Sequence, residues 1–132
     1  GIDYGRRRIG LAVSDSLGIA AHGIPTFEYE EPDEALDHIR RVAEERGVDR
    51  IVIGMPRNMD GTTGMQAREV KRFARRLREL TGKAVDSVDE RLSTYEAEEI
   101  LKQMDIKAKD WKDYIDQVAA KIILTRYLER NG

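Results

Sequence analysis

Arg50-Ile51-Val52-Ile53-Gly54 is a continuous β-branched run. It lacks the polar–apolar alternation of a strand with one wet face, and so reads as a parallel strand covered on both sides. Such a strand needs a crossover helix on each side of it in the chain, and both are present. Upstream, Pro32 and Asp33 begin a pattern that puts Leu36, Ile39, Val42 and Ala43 on one side, with Gly47 where helices use a left-handed cap. Downstream of a polar segment at 56–64, Ala67, Val70, Phe73, Ala74, Leu77 and Leu80 recur at helical spacing as far as Gly82.

Residues 84–90 supply a second strand. Ser93 and Glu96 have capping-box spacing, so a helix is expected from there towards Met104, and a last helix over about 111–130. On the N-terminal side, 2–5, 8–14 and 21–29 read as short strands, with Gly5 and the stretch 16–18 as turn signals. Links this short favour antiparallel pairing. The order predicts an α/β protein in which an antiparallel meander feeds two helix-linked parallel strands. A five-stranded mixed sheet of this kind, three strands antiparallel and then two parallel, flanked by helices, is the ribonuclease H-like arrangement.

A chain of 132 residues is the size of one domain, taken as 1–132. Charged residues make up 36% with both signs interspersed, and there is no cysteine, so disulfides and zinc–thiolate sites are excluded. His22 and His38 are the only histidines, which leaves oxygen ligands for any metal. No apolar run approaches the roughly 20 residues that span a bilayer, and the start does not resemble a signal peptide, so a cytoplasmic location is expected. Gly1 opens directly into strand-like sequence, and some residues are expected before it. A net charge of −2 argues against overall attraction to a polyanion, but cations cluster at Arg6, Arg7 and Arg8 and along 68–78.

Turning the last helix by about 100° per residue places Asp116 in the apolar arc beside Ala120, Ile123 and Tyr127. An isolated carboxylate there is costly. Either it pairs with a core arginine or caps a loop, or it joins other acids around a cation. Candidate partners are Asp3 in the first strand and the Asp89-Glu90 pair at the end of the last one. Neighbouring strand residues face opposite ways, and Glu90 is preferred as the longer, more terminal ligand. Two carboxylates about 4 Å apart repel by roughly 4 kcal/mol at an effective dielectric near 20, so such a cluster needs a cation. Hard oxygen ligands select Mg²⁺ or Mn²⁺, the ions of metal-assisted phosphodiester hydrolysis.

Four ordered segments then resemble the YqgF (RuvX) family over essentially the whole chain. They are Gly1-Ile2-Asp3-Tyr4-Gly5 with Arg8-Ile9-Gly10, Val52-Ile53-Gly54-Met55-Pro56 with Asn58-Met59-Asp60-Gly61, Asp89-Glu90-Arg91-Leu92-Ser93-Thr94, and Asp116 with Ala119-Ala120. The resemblance implies a nuclease related to the RuvC resolvases, with Asp3, Glu90 and Asp116 as catalytic, metal-binding acids. It also implies maturation of the 5′ end of 16S ribosomal RNA or, alternatively, resolution of Holliday junctions in branched DNA.

Other residues support that reading or have plainer ones. Arg8 is the favoured phosphate contact in the turn after Asp3. Arg57 and Asn58 belong to a polar, glycine-bearing loop that either lines a substrate groove or simply joins a strand to a helix. Arg91 either contacts phosphate or balances the acids beside it. Arg68 and Arg72 lie on a helix face that is either solvated or a nucleic-acid contact whose strength should fall with salt. Tyr4 and Trp111 read either as packing residues or as aromatics that stack on an unpaired base beside the site. Rival functions are a non-catalytic nucleic-acid-binding module and an actin- or sugar-kinase-like ATP-binding domain, against which the short length argues. Oligomeric state is not legible.

Overall fold

The computed structural model describes residues 1–56, 65–89 and 93–131. Its elements are β1 Ile2–Asp3, β2 Arg8–Ser14, β3 Ala21–Glu28, α1 Pro32–Glu45, β4 Arg50–Met55, α2 Met65–Thr81, β5 Ala84–Asp89, α3 Ser93–Gln103, a 3-10 helix Ala108–Asp113 and α4 Ile115–Asn131. The five strands form one sheet in the order β3-β2-β1-β4-β5. β1 pairs antiparallel with β2, and β2 with β3, whereas β1–β4 and β4–β5 are parallel. This is the ribonuclease H-like topology, and the β-branched run of β4 sits within it, buried from Ile51 to Met55.

Alternation along the strands sorts side chains onto two faces. Ile2, Ile9, Leu11, Ile51, Ile53, Met55 and Val85 meet Leu36 and Ile39 of α1 and Val70, Phe73 and Leu77 of α2. On the other face, Ala12, Val52 and Val88 meet Ala120, Ile123 and Leu124 of α4. α3 lies outside α4, joined to it through Ala97, Ala119 and Ile122. Sandwiched between sheet and α3, α4 must be apolar on two sides, which hides the one-sided pattern of a surface helix.

Local chemistry explains the ends. α1 starts at Pro32, where a missing N–H is harmless, and the Glu34 carboxylate accepts from the Glu31 amide at 2.9 Å. It stops before Gly47, whose φ of 62° suits a residue without Cβ. Edge strand β3 carries Pro25, and the β2–β3 register slips between Ile9 and Leu11, opposite Gly10.

The last helix is shorter than the sequence pattern predicts. Trp111 belongs to the separate 3-10 helix, and α4 begins only at Ile115. The Trp111 indole N–H donates to the Ile106 carbonyl at 2.8 Å, and the Arg8 guanidinium takes the Lys112 carbonyl. In an unbroken helix that carbonyl would accept from the amide of Asp116. Among the described residues, no helix is long and apolar enough to cross a membrane.

Candidate active site

Three glycines let the N-terminal half of α4 settle closely on the sheet. A Cβ on Gly10 would lie 2.0 Å from the Asp116 carbonyl oxygen, one on Gly1 2.8 Å from that of Ala120, and one on Gly23 2.3 Å from the Gln117 side chain. Gly10 is also the direct partner of Asp3 across the β1–β2 ladder. Cross-strand partners share a face, with Cβ positions about 5 Å apart. Asp3 and Asp116, from opposite ends of the chain, therefore stand side by side on the α4 face at the C-terminal end of β1. Both are partly exposed, as acids that meet a solvated cation must be.

Asp116 is not a lone charge. Arg8 Nε donates to its Oδ2, and Arg8 Nη2 to the Lys112 carbonyl. The side chains of Arg8 and Asp116 keep 34% and 24% of their exposure, so the pair sits at the rim of the site rather than under it. The plainer sequence reading pairs Asp116 with a core arginine; the arginine found here is partly exposed and is the residue expected to contact phosphate.

Asp89 stands elsewhere. It is in register with Met55, which packs on the α1–α2 side, whereas its neighbour Val88 packs with Val52 against α4. By alternation Asp89 faces away from Asp3 and Asp116. Its carbonyl accepts from Arg126 Nη1 at 3.2 Å, and Arg126 also binds Glu96 of α3, which ties the end of β5 to both helices. Glu90, Arg57, Asn58 and Arg91 lie outside the described residues. Among the described residues, no three acids, histidines or cysteines group as a metal site.

The loop after Asp3 is held from two sides. The Tyr29 hydroxyl donates to the Gly5 carbonyl, and burial, together with the neighbouring Tyr4, pushes its pKa above the usual tyrosine range. Arg6 grips Glu69 of α2 with two hydrogen bonds, at 3.1 and 2.7 Å. That bond and charge hold Glu69 below the usual carboxylate range. Tyr4 packs against Phe73, with ring centroids 4.9 Å apart. Arg68 and Arg72 are exposed on α2, across the sheet from the two acids. Arg72 joins Tyr4, Arg6, Glu69 and Arg76 around a groove of about 380 Å³. His22 is exposed, and His38 stacks on Phe27.

The family model described as RuvX, Holliday junction resolvase, matches residues 1–130. The chain belongs to the RuvX family. Its similarity to other RuvX proteins covers nearly the whole of both partners. A relative from Halothermothrix orenii is 44% identical over 128 residues, 97% of this chain and 91% of its own. One from Geobacillus kaustophilus is 44% identical over 131 residues, 98% of this chain and 95% of its own. One from Thermosynechococcus vestitus is 40% identical over 129 residues, 98% and 85%. All three are provisionally named as pre-16S rRNA nucleases.

Sequence reasoning singled out Asp3 and Asp116 but not what seats them. Gly10 carried a usable signal, since a glycine inside a strand marks a bulge or a close backbone approach. Tyr29 carried none, because an aromatic at a strand end reads equally well as core.

Proposed function

We propose that this RuvX protein is a divalent-metal-dependent endonuclease that processes the 5′ end of precursor 16S ribosomal RNA. The observation that carries the reading is the seating of Asp116 on Gly10, directly opposite Asp3. The donor set fits Mg²⁺ or Mn²⁺, because carboxylate oxygens with room for water are what these ions take. Asp3 and Asp116 would hold the metal, with Glu90 as third acid. Since Asp89 faces the α1–α2 side, Glu90 is the member of the pair left for the role. When bound, the metal supplies an activated water and stabilises the leaving oxygen.

The chain's own groups do the rest. Asp3 and Asp116 orient on rigid elements, one at a strand end and one in the first turn of a packed helix. Tyr29 and the Arg6–Glu69 pair fix the loop that follows Asp3. Arg8, Arg57, Asn58 and Arg91 are the proposed contacts to nucleic acid at the site, and Arg68 and Arg72 the more distant ones. A ribosomal RNA substrate would place the protein in the cytoplasm. The family description favours a second reading, resolution of a four-way DNA junction.

The test is cleavage by the purified protein, with Mg²⁺ or with chelator, of a precursor 16S leader and of a four-way DNA junction. Asp3→Asn and Asp116→Asn should each reduce cleavage of the RNA at least about a hundredfold, because loss of a residue that merely orients a metal ligand already costs about 10–100-fold. Selective cleavage of the junction would establish the second reading. Undiminished cleavage by both variants would assign the activity to a contaminant and leave this chain a non-catalytic nucleic-acid-binding module.

A further inference from the structure

We infer that Arg8 is the built-in counter-ion of the metal site, holding the Asp116 carboxylate until a divalent cation displaces it. The inference rests on the metal-dependent reading above and adds a competition to it. Two acids placed side by side at the end of β1 repel unless something positive stands between or beside them. At Asp116 that charge is the Arg8 guanidinium, which donates through Nε to Asp116 and through Nη2 to the Lys112 carbonyl. The second bond matters. It uses a carbonyl released by the break between the 3-10 helix and α4, so the guanidinium is parked by the helix start as well as by the acid.

The same geometry makes the parking reversible. Both side chains reach solvent, and an ion pair at that depth is worth a factor of about five or less in an equilibrium. A cation with two charges, drawn to Asp3 and Asp116 together, outcompetes a single guanidinium for the carboxylate. Arg8 then keeps its place at the start of β2 with donors turned loose beside the metal, where a phosphate oxygen can take them. One residue thus serves two successive partners, an acid before metal binding and the substrate after it.

The experiment is Mn²⁺ binding by calorimetry, without nucleic acid, to the wild-type protein and to Arg8→Gln, Asp3→Asn and Asp116→Asn. Arg8→Gln should bind Mn²⁺ about two- to fivefold more tightly, since it removes a competitor worth no more than that factor. Equal or weaker binding by a folded Arg8→Gln protein overturns the inference and makes Arg8 an organiser of Asp116. Wild-type affinity in both Asp→Asn variants would instead sink the metal reading itself. Should Arg8→Gln fail to fold, the Arg8 Nε–H resonance of the wild-type protein decides. It should move from an ion-paired to a fast-exchanging position as Mg²⁺ is added, and an unchanged resonance at saturation overturns the inference.

Discussion

Gly10 lies flush against the main chain of Asp116, so close that a methyl group on Gly10 would sit 2.0 Å from the Asp116 carbonyl oxygen. Backbone, unlike a flexible side-chain tip, cannot swing aside. Gly10→Ala should therefore lift the start of α4 off the sheet and destabilise the protein by about 3 kcal/mol. Gly18→Ala is the control, because its site is open and only a φ of 68° opposes the change, costing about 1 kcal/mol. Urea melts measure the stabilities. Cleavage should fall in Gly10→Ala under conditions where it is fully folded, and hold in Gly18→Ala.

Tyr29 supports the loop behind Asp3. Only 5% of the residue is exposed, and removing its hydroxyl leaves the Gly5 carbonyl without this donor. Tyr29→Phe should cost about 1–2 kcal/mol. Its pKa is raised, chiefly by burial, so the native state favours the neutral phenol. Stability from this group is complete below the unfolded tyrosine value of about 10 and falls as pH rises above it. Melts at alkaline pH should show a steeper decline for wild type than for Tyr29→Phe.

His38 stacks on Phe27 with ring centroids 3.9 Å apart and planes 5° from parallel. Burial first, and the charge of Arg41 second, lower its pKa, with Glu45 and Asp37 opposing. The native state thus disfavours the imidazolium. The stability this provides is present above the unfolded histidine value of about 6.5 and is lost as pH falls from there towards the lowered native value. Between pH 7 and 5, His38→Gln should show a flatter dependence than wild type, and identical slopes would count against the stacked, half-buried placement.

Tyr127 gives the opposite separation of effects. Its hydroxyl donates to Asp86 at 2.7 Å and accepts from Arg50 at 2.7 Å, bracing α4 against β4 and β5. It lies roughly 16 Å along α4 from Asp116 at 1.5 Å per residue. Tyr127→Phe should cost about 1 kcal/mol in urea melts and leave cleavage at the wild-type rate. A large loss of activity would mean that the far end of α4 communicates with the site.

Local pattern made much of the architecture legible. The β4 run, the apolar stripes of α1 and α2 and the stop at Gly47 depend on periodicity and on backbone preference, which act over a few residues. The start of α4 departs from the helical periodicity for a reason outside its own segment. Trp111 turns its N–H to Ile106, and Arg8, from the second strand, captures the Lys112 carbonyl. The face on which Asp89 lies is equally non-local, since it follows from the register with Met55 on the neighbouring strand.

Composition and pattern alone established which chemistry was available: oxygen ligands without cysteine, an acid in the apolar arc of the last helix, and a topology able to bring chain ends together. Tertiary structure decided the pairings. That Arg8 holds Asp116, across 108 positions, and that Gly10 seats it beside Asp3, depend on strand register and on how closely a helix can approach a sheet. Those are properties of two packed surfaces, and neither segment carries them by itself.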